Sequence, residues 1–368
     1  MKKLLTLVLA VAMIFSLASF AFAEEGERKK TVGIAMPTDS RERWNRSGQY
    51  LKEQFEAAGF DTILIFSDDD ADRQNNDIQT MIADGAEVLV IAPVDGNSLS
   101  QTLADAKDAG ILVIAYDRLI MNTDAVSCYV SFDNYKVGAL QGEFIKDVLD
   151  LDNAQDPFTI EFIAGDAADN NAVYVFNGTY DTLKPYIDEG KLIIPSGKTS
   201  FEQVATERWS ADKAFENFQS TLAACYSDGT QLDAVACSND SLALGVAKAI
   251  TSDYAGSNQP IITGQDGAVA NLRNIVDGIQ TMTVYKNVSD EADVTLKVVL
   301  ALLAGETPGE KLLGSLDAEA AFDTETYDNG MGVVPSFLLV PWTVTRNNLD
   351  TLADTGLYVW DGDYLVAE

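Results

Sequence analysis

The sequence predicts an α/β protein made of two Rossmann-like lobes, each a parallel sheet with helices on both faces. Stretches typical of strands and of helices alternate along the chain, which is the pattern of strands joined by crossover helices. The predicted strands are almost continuously apolar, as expected for strands covered by helices on both faces. The alternation forms two series of similar length, and 368 residues are sufficient for two domains.

The first series of elements lies within residues 31–133. Two of its helices are followed by glycines, which commonly end a helix. We predict strands at residues 32–36, 60–66, 88–91, 111–116 and 127–132. We predict helices at residues 44–58, 74–83 and 99–109.

The second series follows residue 133 and extends into the C-terminal tail. We predict strands at residues 158–164, 192–194, 234–237, 261–264, 281–284 and 333–340. We predict helices at residues 172–187, 213–226, 241–250, 269–276 and 292–303. We therefore expect an N-terminal lobe of residues 31–133 and 266–310, and a C-terminal lobe of residues 134–265 and 325–368.

The first residues have the three parts of an export signal. Lys2 and Lys3 precede an apolar run, and Ala21-Phe-Ala23 is a cleavage site of the Ala-x-Ala kind. We expect residues 1–23 to be removed, so that the exported chain begins near Glu24. An uncleaved membrane anchor is the alternative for this segment.

The composition argues against several classes of function. The formal charge of −32 repels nucleic acid, so no nucleic-acid partner is expected. The absence of histidine removes Ser-His-Asp and Cys-His catalysis and the usual histidine metal sites. No glycine-rich nucleotide motif follows a strand, and we predict no cofactor. Of the three cysteines, Cys128 and Cys237 are interpreted as buried small hydrophobes, although Cys225 and Cys237 could pair.

Polar side chains stand at the C-terminal ends of nearly all predicted strands, where open α/β sheets bind ligands. Asp117 and Arg118 follow one buried strand directly. The planar or charged residues in such positions are Arg43, Asp117, Arg118, Asp133, Asn134, Asp169, Asn170, Asn171, Arg208, Asn239, Asp240, Gln265, Asp266 and Lys286. Trp44 and Trp209 stand beside two of them.

This mixture of residues suits a sugar. Each hydroxyl group both donates and accepts a hydrogen bond, and Asp, Asn and Arg supply the partners in fixed planes. The C–H faces of a pyranose pack on aromatic rings, so Trp44 and Trp209 could enclose it.

Each of these residues also has a structural explanation. Asp117 and Arg118 could form a surface ion pair, and either Trp could belong to the core. Asp133, Asp169 and Asp240 could each cap a helix. The run of acidic residues at 68–72 resembles part of a calcium loop, but it lacks the glycine and the terminal glutamate, and a solvated loop with a helix cap is favoured.

Taken in order, these motifs resemble the periplasmic sugar-binding proteins of ABC transporters, in the xylose-binding and multiple-monosaccharide-binding branch. The resemblance spans essentially the whole mature chain. The matching motifs are Val32-Gly-Ile-Ala-Met-Pro-Thr38, Arg43-Trp44, Tyr116-Asp-Arg118, Phe132-Asp-Asn134, Asp169-Asn-Asn171, Arg208-Trp209, Asn239-Asp240, Gly264-Gln-Asp266 and Val333-Val-Pro-Ser-Phe337.

The resemblance implies a type I periplasmic binding protein with a three-stranded hinge and a sugar site in the cleft between its lobes. We expect the hinge near Asn134, Gln265 and the segment before Val333. The residues expected to bind the ligand are Arg43, Trp44, Asp117, Arg118, Asn134, Asn171, Arg208, Trp209, Asn239, Asp240, Asp266 and Lys286.

The function predicted from this resemblance is the capture of a neutral monosaccharide in the periplasm and its delivery to an ABC transporter permease. The expected ligands are aldopentoses and aldohexoses such as xylose, glucose, galactose and arabinose, and a monomer is expected. One alternative is a receptor that presents the sugar to a sensor kinase or a chemoreceptor. Another is a glycosidase using Asp117 and Asp266, but we expect neighbouring arginines to keep both carboxylates ionised, which is unsuitable for a general acid.

Overall fold

The structure is a computed structural model that describes residues 29–368. The predicted export signal at residues 1–23 lies outside this range. Within residues 29–368, no helix has both the length and the apolar composition that a membrane crossing requires.

The first part of the chain alternates between strands and helices, as the sequence predicts. Its strands are β1 (Thr31–Met36), β2 (Asp61–Phe66), β3 (Val88–Ile91), β4 (Leu112–Tyr116) and β5 (Val126–Phe132). Its helices are α1 (Glu42–Ala57), α2 (Ala71–Ala83) and α3 (Ser100–Asp108).

The second part continues the alternation with shorter strands. Its strands are β6 (Phe158–Ile163), β7 (Leu192–Ile193), β8 (Ala234–Cys237), β9 (Ile261–Ile262) and β10 (Met282–Tyr285). Its helices are α4 (Asn134–Val148), α5 (Asn170–Asp188), α6 (Phe201–Val204), α7 (Ala211–Cys225), α8 (Asp240–Asp253) and α9 (Val269–Val276). A short 3₁₀ turn occupies Glu207–Trp209.

The last part of the chain, from residue 288 onward, contributes elements to both lobes. The helices are α10 (Val288–Leu303), α11 (Glu310–Leu313) and α12 (Asp350–Ala353). The strands are β11 (Ala320–Asp323), β12 (Ser336–Leu339), β13 (Trp342–Thr345), β14 (Tyr358–Asp361) and β15 (Tyr364–Ala367).

Two sheets define the two lobes. The N-terminal lobe is built on a seven-stranded sheet with the order β11-β12-β5-β4-β3-β1-β2, parallel except for the pairing of β11 with β12. The C-terminal lobe is built on a parallel sheet with the order β7-β6-β8-β9. The antiparallel pair β10–β13 extends this second sheet through a bridge between Gln265 and Val284.

The first sheet is buried on both faces, in agreement with its apolar strands. In β1, Ile34 and Met36 belong to the core cluster on one face, while Ala35 belongs to the cluster on the other face. A separate cluster surrounds the second sheet and includes Ile160 and Phe162. The predicted fold class, two α/β lobes with parallel sheets, is confirmed.

The strand pairing differs from the expected lobe boundaries in two places. Residues 266–285 were expected in the N-terminal lobe, but β10 pairs with β13 and extends the second sheet. Conversely, β12 was expected in the C-terminal lobe but pairs with β5 in the first sheet. Periodicity identifies a strand but not its neighbour, so the sequence alone did not locate these crossings.

The chain passes between the two sheets three times, as expected for a three-stranded hinge. The crossings lie between β5 and α4, between β10 and α10, and between β12 and β13. The first agrees with the position expected near Asn134. The second and third lie near Lys286 and Val340 rather than near Gln265 and before Val333.

Helix α4 was predicted only through its possible cap, Asp133, and without bounds, although it packs closely against α5. A Cβ atom on Gly138 would lie 1.9 Å from the carbonyl oxygen of Val175. A Cβ atom on Gly178 would lie 2.1 Å from the carbonyl oxygen of Tyr135. These two glycines therefore allow the backbones of the two helices to touch.

We predict that Gly138→Ala destabilises the protein by about 1–3 kcal/mol or more, because the new methyl group would overlap the α5 backbone. Thermal unfolding measures the effect. Gly309→Ala is the matched control, since a Cβ atom there would meet nothing within 4 Å. Equal melting temperatures for the two variants would contradict the proposed helix contact.

Candidate ligand-binding site between the lobes

A cavity of about 580 Å³, measured to its open mouth, lies between the two lobes. Eleven of the twelve predicted ligand residues line it: Arg43, Trp44, Asp117, Arg118, Asn134, Asn171, Trp209, Asn239, Asp240, Asp266 and Lys286. The lining also includes Arg41, Glu42, Asp169, Val175, Ser241, Gln265 and Ala268, which were not among the twelve.

Arg208 is the predicted ligand residue that the structure places outside the cavity wall. Its side chain is 61% exposed and lies beside Glu207. The backbone of Arg208 has a left-handed φ of 57°, as does Trp209 with 53°. The sequence pair Arg208-Trp209 suggested two adjacent ligand residues, but this unusual turn directs only the Trp side chain into the cavity.

Asp117 lies at the floor of the cavity, directly after β4. Its φ of 57° is unusual for a residue with a side chain, and its carbonyl oxygen accepts hydrogen bonds that hold this conformation. The donors are Tyr129 Oη at 2.6 Å, Ser131 Oγ at 2.8 Å and Asn171 Nδ2 at 2.6 Å. Since Asn171 belongs to α5, this bond also joins the two lobes.

The carboxylate of Asp117 is paired with two cations. Its Oδ2 atom accepts hydrogen bonds from Arg43 and from Lys286 Nζ, the latter at 3.0 Å. Burial alone would raise the pKa of Asp117, but the charges of Arg43 and Lys286 outweigh burial and lower the pKa. Asp117 is therefore an ionised acceptor in the site.

A second carboxyl group, Glu291, lies behind Arg43. Its Oε2 atom is 3.2 Å from Arg43 Nη2, and the side chain is fully buried. Burial, together with the negative charge of Asp117, raises the pKa of Glu291. Sequence reasoning missed this residue, because a glutamate within an amphipathic helix is normally exposed.

Asp169 joins Arg118 to Trp209 across the cleft. Its Oδ2 atom forms an ion pair with Arg118 Nε at 2.8 Å and accepts a hydrogen bond from Trp209 Nε1 at 3.2 Å. Its Oδ1 atom accepts from the backbone N–H of Asn171 and so caps α5. Asp169 therefore has both of the roles that the sequence presented as alternatives.

Of the other two aspartates that could cap a helix, Asp133 does so and Asp240 does not. Asp133 caps α4 by accepting from the backbone N–H of Lys136. Asp240 does not cap α8, because Asn239 occupies the cap position and accepts from the N–H of Leu242. The Asp70 side chain caps α2, which confirms the interpretation of the acidic run as a loop with a cap.

Asp240 is a buried carboxyl group held by neutral donors. Its oxygens accept from Gln280 Nε2 at 3.0 Å and from the N–H of Ala268 at 2.9 Å. Burial and the nearby charge of Asp266 raise the pKa of Asp240 to about 8. Burial also raises the pKa of Asp266, although Arg43 opposes this effect. The neighbouring cations thus outweigh burial at Asp117, which agrees with the expected ionised carboxylate, whereas burial outweighs them at Asp266.

The two Trp residues approach the cavity from opposite lobes. Trp44 belongs to α1, and the guanidinium carbons of Arg43 and Arg118 lie 5.2 and 5.0 Å from the centre of its ring. Trp209 lies against Gly165, where a Cβ atom would be 2.2 Å from the Trp ring. Both rings line the cavity, and both also belong to the apolar core of their own lobe, so each Trp has both of the roles considered for it.

Several buried polar atoms in the cavity wall have no hydrogen-bond partner within the described part of the chain. They include donors on Arg43 (Nε and Nη1) and acceptors on Asn134 (Oδ1) and Gln265 (Oε1). A buried polar atom without a partner is costly. A ligand that both donates and accepts, such as a hydroxyl-bearing molecule, would satisfy both kinds of atom.

The structure also bears on metal binding and on the cysteines. Among residues 29–368, no group of three or more His, Cys, Asp or Glu side chains could hold a metal ion. Cys128, Cys225 and Cys237 are free, and Cys128 and Cys237 are buried. The interpretation of these two cysteines as buried small residues is confirmed, and Cys225 and Cys237 do not form a disulfide.

Two lobes with three crossings and a polar cavity between them define a binding protein that encloses its ligand. The sequence of residues 32–307 matches the periplasmic binding protein domain family. The chain therefore belongs to this family.

Similar proteins support the same assignment over nearly the whole chain. The multiple sugar-binding periplasmic receptor of Rhizobium radiobacter is 40% identical over 98% of this chain and 99% of its own length. The D-xylose-binding periplasmic protein of Escherichia coli is 32% identical over 89% of this chain and 90% of its own. The structure of an ABC transporter solute-binding protein from Clostridium phytofermentans, with bound β-D-glucose, superposes with a TM-score of 0.84 at 45% identity, covering 90% of this chain and 98% of that one.

The burial of Asp240 predicts a pH-dependent stability. Its pKa is near 3.9 in an unfolded chain and about 8 in the folded protein. Between these two pH values the folded state therefore binds more protons than the unfolded state. The contribution of Asp240 to the free energy of unfolding is thus largest below about pH 4 and falls as the pH rises toward 8. Glu291, whose pKa is also raised, contributes in the same direction.

We predict that Asp240→Asn reduces this pH dependence by up to about 1.4 kcal/mol per pH unit, because it removes one titrating group. Unfolding by urea between pH 5 and pH 8 measures the slope. The slope is the appropriate readout, since an amide also disturbs the bonds to Gln280 and Ala268. Asp354→Asn, at an exposed position, serves as the control, and equal slopes in both variants would refute the role of Asp240.

Proposed function

We propose that this protein is an exported binding protein that captures a neutral monosaccharide and delivers it to an ABC transporter permease in the inner membrane. The ligand is an aldopentose or aldohexose such as glucose, xylose, galactose or arabinose. The observation that carries this proposal is the cavity between the lobes, with a Trp from each lobe and with both donors and acceptors unpaired in its wall. Relatives named for sugar binding support the same ligand class.

The charges in the cavity support a neutral ligand. Its cations are Arg41, Arg43, Arg118 and Lys286, and its carboxyl groups are Glu42, Asp117, Asp169, Asp240 and Asp266. The cations are already paired with carboxylates, as in the contacts of Arg118 with Asp169 and of Lys286 with Asp117. An anionic ligand would normally meet an uncompensated basic cluster, and this cavity has none in its described wall.

Binding without catalysis is the activity that the family match supports. A glycosidase needs one carboxylic acid that is protonated at working pH and a second that acts as base or nucleophile. Asp117 has a lowered pKa because of Arg43 and Lys286, so it is a poor general acid. The family match is likewise to a binding domain.

The expected location is the periplasm, after cleavage of residues 1–23. The order of the charged, apolar and Ala-x-Ala parts of this segment supports export. Delivery by a monomer is the simplest arrangement, since both walls of the cavity come from one chain.

A receptor that presents the sugar to a sensor kinase or a chemoreceptor is the second candidate. The relative from Rhizobium radiobacter is itself named a receptor. Neighbouring genes discriminate between the two functions: an ATPase and a permease favour transport, whereas a sensor kinase favours signalling.

The first functional prediction concerns ligand class. Calorimetry with glucose, xylose, galactose, arabinose and a uronic acid should show binding of at least one neutral sugar. Deoxy derivatives of that sugar should bind more weakly by about 1–3 kcal/mol, because a missing hydroxyl leaves buried polar groups unpaired. Binding of the uronic acid with none of the neutral sugars would contradict the proposed ligand class.

The second functional prediction concerns Trp44 and Trp209. Replacing either by Ala should weaken sugar binding by about 1–3 kcal/mol through lost apolar contact and stacking. Trp360→Ala is the matched control, because Trp360 is 43% exposed and lies outside the cavity wall. If both cavity variants bind sugar as well as this control does, the sugar does not lie between the two rings.

A further inference from the structure

Arg41 links the two lobes, because its guanidinium donates a hydrogen bond to a backbone carbonyl group of the other lobe. Arg41 precedes α1 in the N-terminal lobe, and its Nη1 atom donates to the carbonyl oxygen of Arg208 at 2.5 Å. Its Nη2 atom donates to Asp69 Oδ1 within its own lobe. A planar guanidinium can hold two acceptors in fixed directions at once, which a lysine ammonium does less well.

The carbonyl that Arg41 holds belongs to a turn in an unfavourable conformation. Arg208 and Trp209 both have left-handed φ values, 57° and 53°, which residues with a Cβ atom rarely adopt. Within the C-terminal lobe, the N–H of Arg208 donates to Asp166 Oδ2 at 2.5 Å. Such a conformation persists where surrounding contacts determine it, and Arg41 supplies one of these contacts from the other lobe.

This turn determines where the Trp209 ring lies. The ring is held by the bond from its Nε1 atom to Asp169 and by its contact with Gly165. Because the Arg208 carbonyl is the peptide group directly before Trp209, a bond to this carbonyl restrains the residue that lines the cavity. The bond requires both lobes and can form only when they approach each other.

We propose that Arg41 acts as a latch, by which we mean a hydrogen bond between the lobes that forms when they close. This bond to the Arg208 carbonyl stabilises the turn at residues 206–210 and so keeps Trp209 against the ligand. This inference rests on the proposed function. Asp69 is the positioning residue for the latch, because it orients the guanidinium without lining the cavity itself. Arg41 also lines the cavity, but its bonds to the Arg208 carbonyl and to Asp69 involve no atom of the ligand, so the contribution of these bonds is the same for every sugar.

The test compares variants of Arg41 and Asp69 with a matched ion pair. Arg41→Ala should weaken binding of glucose, xylose, galactose and arabinose by one common factor, about tenfold, the effect expected for a hydrogen bond to a charged group. Asp69→Ala should weaken all of them by a smaller common factor. The double variant should be no weaker than Arg41→Ala, because the two residues act as one unit.

Arg73→Ala is the control. Arg73 pairs with Asp68 in the same lobe and in the same stretch of chain, so its ion pair does not cross the cleft. This variant should bind each sugar like the wild type. Stopped-flow tryptophan fluorescence should show faster sugar release in Arg41→Ala with a nearly unchanged association rate, since the latch forms after the sugar has entered.

The outcomes separate the latch from other roles of Arg41. A loss that differs between sugars would make Arg41 a direct ligand contact and would overturn the latch. Unchanged affinity in both Arg41→Ala and Asp69→Ala would also overturn it. If the wild type binds none of these sugars, the proposed function fails and the latch fails with it. Wild-type binding with unchanged variants overturns the latch alone.

Discussion

The buried carboxylate of Asp117 is the interaction on which the arrangement of both lobes depends. A buried charge is tolerated only with a partner, and the partners of Asp117 come from distant parts of the chain. Arg43 belongs to the first helix, and Lys286 lies where the chain crosses between the lobes for the second time. One ion cluster thus fixes the floor of the cavity, the end of a central strand and part of the hinge. The same Arg43 also contacts the buried Glu291, which ties α10 to this cluster.

The general position of the site was predictable from sequence because parallel strands end at one edge of a sheet. Asp117 and Arg118 follow a strand of apolar residues, and the charge of this pair indicated the edge rather than the interior. The same rule identified Asn239 and Asp266 as candidate ligand residues, and both line the cavity. The alternation of strands and helices predicted the fold class for the same reason, since a parallel sheet requires crossover connections.

The details that sequence could not supply depend on backbone geometry and on the pairing of distant segments. Arg208 follows the same strand-end rule as Asp117, but its side chain points to solvent because its turn is left-handed. Arg41 stands beside the recognised pair Arg43-Trp44, yet no spacing rule separates a residue that binds across the cleft from one exposed to solvent. Strand β12 has the apolar pattern of any buried strand, and its place beside β5 is determined by tertiary packing.

The two walls of the cavity differ in how their charges are balanced. The floor around Asp117 is neutralised by Arg43 and Lys286, whereas Asp240 in the opposite wall is held by an amide and a backbone N–H. Closing the lobes removes water from these acceptors, which is unfavourable unless other donors replace it. The hydroxyl groups of a sugar are such donors, and they carry no charge that would disturb the neutralised floor. We infer that a polyhydroxylated ligand favours the closed state because it replaces lost water at both walls, so that binding and closure are one equilibrium.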